Sequence, residues 1–231
     1  MQKIITPHRA DDNNYIFTEG INYFETGNSS IWGKEDQETK DILEKVVKPT
    51  SVWLNLGAGD GRYNTFILSK SQSVTAQDID LGALSKLWHN TPIKLREKLT
   101  VTQSNIVHPL PFPNNSFDGV FCAGLLHLFP KQILQNILSE INRVLKIQGS
   151  LVINLAADIE RKGIDGNLVT YGKEPLYSVK DTKQLYQELL PNYSVSFHTG
   201  KTIIEDVPDA NPPHQFKCEL VIVEAIKINP N

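Results

Sequence analysis

Glycines 57, 59 and 61 alternate in Gly57-Ala58-Gly59-Asp60-Gly61, directly after the apolar run Ser51-Val52-Trp53-Leu54-Asn55-Leu56. Glycines there let the backbone turn tightly and let a ligand approach without interference from a Cβ. Asp78 closes the next apolar run, Ser73-Val74-Thr75-Ala76-Gln77-Asp78. A carboxylate in that place can accept both hydroxyls of a ribose, so loop and acid together point to an adenosine ligand. The dinucleotide fingerprint needs a third glycine where this chain has Arg62, which argues against a nicotinamide-dependent oxidoreductase. The phosphate loop ending in Gly-Lys-Ser/Thr is absent as well, so the adenosine expected here carries a tail that is not a phosphate.

The remaining chemistry-bearing residues are sparse. His127 follows the apolar run Phe117–Ala123 and is the best candidate for a general base, if one is needed. Its plainer role is a histidine at the start of a helix, packed beside Leu126 and Phe129. Tyr171 could also face a second substrate. His8, His89, His108, His198 and His214 have no metal-ligand spacing, and no metal is expected. Cys122 and Cys218 lack zinc or redox spacing, and Cys122 reads as a small buried hydrophobe.

These residues need a scaffold, and the pattern of the chain supplies one. Ile42, Leu43, Val46 and Val47 recur at helical spacing before Pro49. Strands follow at 51–56, 73–78, near 99–102 and at 117–123, with helix patterns through Phe66–Leu68 and Ala83–Trp88 between them. The clearest helix is lined by Ile133, Leu134, Ile137, Leu138, Ile141, Val144 and Leu145, is stopped at Gln148-Gly149 and leads to a strand at 151–155. Repeated alternation of strand and helix implies a parallel sheet covered on both faces. After a helix around Asp181–Leu190, the strands 193–197 and 218–225 have no good helix between them and can pair antiparallel at a sheet edge.

Four stretches, in order, carry a family resemblance. Val52–Gly61 resembles the first motif of class I S-adenosylmethionine-dependent methyltransferases, and Val74–Asp80 their second. Ser104-Asn105-Ile106 with Leu110–Val120 is similar to their third region and fourth strand, and Arg143–Leu151 to the segment entering the fifth. The resemblance spans roughly residues 50 to 155 and is closest to the small-molecule-type branch. It implies an α/β fold: a doubly wound, mostly parallel, seven-stranded Rossmann-like sheet with an antiparallel edge strand. Residues 35–231 would be the cofactor-binding domain and residues 1–34 a cap.

Carried over, the resemblance implies that Gly57, Ala58, Gly59 and Gly61 pass under the methionine moiety of S-adenosylmethionine. Asp78 would take the ribose hydroxyls, Ile79 would flank the adenine, and Asn105 and Ile106 would meet its edge. Cys122 and Ala123 would lie near the sulfonium. The family usually has an acid where Asn55 stands, near the cofactor's amino group, and an aspartate where Asn105 stands. Both asparagines can still accept hydrogen bonds but lose the charge-assisted part. Weaker cofactor binding than usual is therefore expected. A catalytically weak or inactive binding protein of the same fold is the alternative.

Tyr15, Phe17, Tyr23, Phe24 and Trp32 crowd the first part of the chain, too many aromatics for a free tail. They either form a lid over the cofactor or pack on the core. The 231 residues carry a net charge of −3 with 40% hydrophobic and 21% charged residues, a globular composition. No polyanion-binding surface stands out, and Lys94–Lys98 is interrupted by Glu97. With no signal-like start and no apolar window of membrane length, a soluble cytoplasmic enzyme acting on a small-molecule acceptor is expected.

Overall fold

Where the sequence alternates apolar runs with helical spacing, the computed structural model alternates strands and helices. It describes residues 8–11, 14–18, 22–169, 174–207 and 212–229. Tyr171 and the side chains of Tyr15 and Phe17, named above as candidates, lie outside the described residues. Strands β1 (His8–Asp11) and β2 (Asn14–Thr18) form a two-stranded antiparallel ribbon. A single 3-10 turn, Tyr23–Glu25, precedes α1 (Gln37–Val46). Asp36 caps α1, accepting from the Thr39 N–H at 2.7 Å.

The main sheet then assembles from β3 (Val52–Leu56), β4 (Ser73–Asp78), β5 (Leu99–Gln103) and β6 (Phe117–Ala123). Between them run α2 (Asn64–Lys70), α3 (Leu81–Asn90) and the short α4 (Ile93–Arg96). Helix α5 (Lys131–Val144) leads into β7 (Leu145–Gly163), and α6 (Val179–Leu189) precedes β8 (Tyr193–Val207) and β9 (His214–Lys227). The seven strands lie in the order β5-β4-β3-β6-β7-β9-β8. The first five are mutually parallel, whereas β9 runs antiparallel to both neighbours. The Rossmann-like expectation holds, and the reversed strand sits one position in from the edge.

Strand alternation puts two cores on the two faces. Leu54, Leu56, Cys122 and Ile153 meet α5 and α6 on one side, while Trp53, Phe121, Val152 and Ile222 meet α1, α2 and α3 on the other. Strand order reverses between β3 and β6, which opens a crevice at their carboxyl ends. Helix α5 ends at Val144, earlier than Gln148-Gly149 suggests, and Gln148 takes a φ of +62° inside an irregular stretch of β7. Strands β7, β8 and β9 are also far longer than their apolar runs. Beyond register shifts at Ala157–Glu160 in β7 and Thr199–Thr202 in β8 they continue as a three-stranded extension. Among the described residues no helix is long and apolar enough to cross a membrane.

Candidate active site

The glycine loop is held from below by the end of β4. The Ala58 N–H donates to the Gln77 carbonyl at 2.8 Å, and the Gly57 N–H to Gln77 Oε1 at 3.2 Å. Gln77 Nε2 in turn donates to the Ser104 carbonyl at 2.5 Å, joining the loop to the end of β5. The Gly59 N–H donates to Asp78 Oδ2 at 2.8 Å, and the Asp80 N–H to Oδ1 at 2.9 Å. The Ile79 N–H also faces this carboxylate, whose remaining acceptor capacity is available to a ligand hydroxyl. Burial holds the Asp78 pKa above its ordinary value of 3.8, against the lowering effect of these N–H groups.

Gly57 has a φ of +65°, and a Cβ there would stand 2.4 Å from Leu125 Cδ2. The left-handed φ and the close Leu125 side chain both favour glycine at this turn.

A cavity of about 660 Å³ opens above the loop. Asn55, Gly57, Ala58, Gly59, Asp78, Ile79, Asn105, Ile106, Ala123 and His127 all line it. Two of the expected residues do not. Gly61 faces α3, where a Cβ would meet Leu87 Cγ at 2.8 Å, so it serves helix packing. Cys122 is wholly buried in the opposite core, because its neighbours Phe121 and Ala123 are the ones that alternation turns toward the cavity. Asn55 is 3% exposed and donates through Nδ2 to Asn64 Oδ1 at 3.3 Å, leaving its carbonyl oxygen as the acceptor. Asn105 Oδ1 accepts from the Val107 N–H at 3.1 Å, with one acceptor site left.

The far side of the cavity is built by the strand extension, which sequence spacing did not reveal. Glu205, Phe216 and Arg161 stand directly opposite one another on β8, β9 and β7, so their side chains share one face. The guanidinium of Arg161 lies 5.7 Å from the centre of the Phe216 ring. It also grips the Glu174 carboxylate with both terminal nitrogens, at 2.5 and 3.1 Å, in a buried fork. Ile203 and Cys218 form the adjacent rung, and the Cys218 thiol is pushed up to about 12, chiefly by burial.

The N-terminal segment closes the cavity from the loop side. Lys86 Nζ meets Asp60 at 2.9 Å with both side chains nearly inaccessible, at 6% and 0% exposure. Around this pair, Ser30 Oγ donates to Asp60 at 2.6 Å and the Ile31 N–H at 2.8 Å. Lys86 donates to Thr26 Oγ1 and to the Ser29 carbonyl, both at 2.8 Å. Residues 26–31 are thereby strapped to the loop, and Trp32 comes to rest above Gly59. Tyr23 and Trp32 line the cavity, whereas Phe24 is exposed. Further on, the Tyr63 hydroxyl and Asn154 Nδ2 both donate to the Asp36 carboxylate, the latter at 2.9 Å, tying α1 to the sheet.

His127 lies in the 3-10 turn Leu126–Leu128, with Nδ1 buried and unpartnered among the described residues. Burial, with a smaller push from Arg161, lowers its pKa from 6.5 to about 4. The imidazole is therefore neutral at pH 7, can donate or accept one hydrogen bond, and is a weak base. Below 6.5 the unfolded chain takes up a proton that the folded chain refuses, so this group's stabilisation is lost as pH falls from 6.5 to about 4. A His127→Gln variant should lose less stability over that window than the parent. The difference should reach up to about 3 kcal/mol at pH 4 in urea titrations. Parallel stability curves for the two proteins would contradict the buried, neutral imidazole.

Among the described residues no cluster of His, Cys, Asp and Glu could hold a metal ion. Residues 54–153 match the family model of the methyltransferase domain. No curated protein sequence matches the chain. Solved structures match in fold. YcgJ from Bacillus subtilis is 13% identical at a TM-score of 0.64, over 84% of this chain and all of that one. A S-adenosylmethionine-dependent methyltransferase from Methanosarcina mazei is 16% identical at 0.59, over 86% of this chain and all of its own. DhpI, in complex with S-adenosylhomocysteine, is 15% identical at 0.52, over 78% of each chain. The matched methyltransferase domain thus falls on the stretch that holds the four motifs, within a Rossmann-like sheet whose fold these solved structures share.

Proposed function

We propose that the protein transfers a methyl group from S-adenosylmethionine to a small-molecule acceptor. The observation that carries this reading is one continuous cavity, which joins the glycine loop and Asp78 to the lobe under the strand extension. The residues fit the cofactor. Asp78 would offer its remaining acceptor capacity to the ribose hydroxyls. Ile79 and Ile106 offer apolar walls to the adenine, and Asn105 an acceptor for its amine. Structural relatives described as S-adenosylmethionine-dependent, or solved with S-adenosylhomocysteine, support the choice of ligand.

The bound cofactor supplies a methyl carbon already activated by its sulfonium. What the chain contributes is alignment and exclusion of water, which for a well-oriented pair can lower a barrier by several kcal/mol. The strap at residues 26–32 closes one side and the extension of β7, β8 and β9 the other. His127 would orient the acceptor by a hydrogen bond, because its depressed pKa leaves it little capacity to hold a proton. The Arg161–Glu174 fork and Phe216 would give the acceptor a polar edge and an aromatic face. In this reading residues 1–34 are a cap on a domain formed by 35–231.

Calorimetric titration with S-adenosylmethionine and S-adenosylhomocysteine should give saturable heat with both, and silence with both would sink the assignment. A second reading, a binding protein without turnover, is favoured by the uncharged Asn55 beside the loop. Labelled-methyl assays over amine, phenol, carboxylate and thiol panels separate the two. Labelled product selects the enzyme, and cofactor binding without any product selects the binding protein.

A further inference from the structure

The two ends of the loop side of the cavity differ in chemistry. Asp78, Ile79, Asn105 and Ile106 make one end suited to a nucleoside. At the other end stand Asn55, Gly124, Trp32 and Arg62. By spacing alone, Arg62 is only a residue where the dinucleotide fingerprint needs a glycine. In the fold its guanidinium spans the cavity rim. Nη1 donates to the Trp32 carbonyl at 2.9 Å, while Nη2 lies 3.7 Å from where a Cβ on Gly124 would be. The group also rests on the Tyr63 ring, 4.9 Å from its centre.

Two arginines line the cavity, and Glu174 already engages Arg161. Arg62 meets no carboxylate among the described residues, although it is held in place on three sides. Four of its five N–H groups are left, in a planar fork that matches a carboxylate. The Trp32 indole nitrogen stands 3.4 Å from where a Cβ on Gly59 would be and donates to no acceptor among the described residues. It is a second donor beside the glycine loop.

We propose that Arg62, assisted by the Trp32 indole N–H, receives the carboxylate of the cofactor's amino-acid tail. This inference rests on the S-adenosylmethionine reading above. It also accounts for Asn55: the grip on the tail moves from an acid holding the ammonium to a guanidinium holding the carboxylate. Charge-assisted, bidentate pairs of that kind are the stronger class of hydrogen bond.

The test uses three probes on the full chain: S-adenosylhomocysteine, its decarboxylated analogue, which keeps the amine, and 5′-methylthioadenosine, which has no tail. In Arg62→Met, the dissociation constant for S-adenosylhomocysteine should rise about ten- to a hundredfold. Affinity for the other two probes should stay as in the parent. Arg62→Lys should fall between, keeping the charge but losing the fork. An equal loss for all three probes would mean that Arg62 merely supports the loop, and unchanged S-adenosylhomocysteine binding would remove it from the site. Either result overturns the proposal while leaving the cofactor reading intact. A parent protein that binds none of the probes overturns both.

Discussion

Replacing Asp78 with alanine is expected to weaken S-adenosylhomocysteine binding by about two to four orders of magnitude, the sum of two charge-assisted hydrogen bonds at about 1.5–3 kcal/mol each. Two effects act together. The variant loses both acceptor sites facing the ribose. It also frees the N–H groups of Gly59 and Asp80, which the carboxylate holds at 2.8 and 2.9 Å, so the loop loses its anchor. Titration calorimetry at neutral pH measures the loss, and an affinity within a few-fold of the parent would exclude Asp78 from the site. The same carboxylate sets a pH dependence. Burial raises its pKa above 3.8, so on acidification the parent should lose affinity at a higher pH than an ordinary aspartate would dictate. The sign follows from the chemistry: a protonated carboxyl becomes a donor facing hydroxyls that it must accept from.

Replacing Lys86 with methionine is expected to cost about 3–5 kcal/mol, the range for leaving one member of a buried ion pair uncompensated. Asp60 and Lys86 are 0% and 6% exposed in their side chains, and water cannot replace either partner. The loss should fall first on residues 26–32, because Ser30, Ile31, Thr26 and Ser29 all bond to this pair. Hydrogen exchange followed by mass spectrometry should show faster exchange in that segment, while α5, which packs on the other face of the sheet, keeps its protection. An Asp60→Asn, Lys86→Met double variant should recover part of the stability, since no unpaired charge remains buried. Unchanged exchange over 26–32 in the Lys86 variant would show that other contacts hold the strap.

The first of these sites was legible in the sequence and the second was not. Asp78 stands out because it ends an apolar run one strand after a glycine loop, a relation carried by contiguous residues. Spacing marks Asp60 only as a member of the glycine loop and gives Lys86 no role. Their pairing joins a loop to a distant helix, and no spacing rule encodes such a contact. Among the aromatics, Trp32 and Tyr23 reach the cavity and Phe24 does not. Composition could not separate them, because only the strap's path decides which rings face inward.

By itself the sequence determined the alternation of strand and helix, the glycine loop with its acid, and the resemblance to a methyltransferase domain. These depend on local properties: side-chain period, the backbone freedom of glycine, and short motifs in a set order. Tertiary structure decided what local pattern leaves open. It placed the antiparallel strand inside the edge and turned Cys122 away from the cavity. It also gave Gly61 to helix packing. It carried β7, β8 and β9 past their apolar runs, bringing Arg161, Glu174, Glu205 and Phe216 to the outer lobe. And it set Arg62, an irregularity in a motif, against Trp32 and the Tyr63 ring at the cavity wall. The physical reason is common to all of these: they depend on contacts between segments far apart in the chain, whose geometry exists only once the sheet has formed.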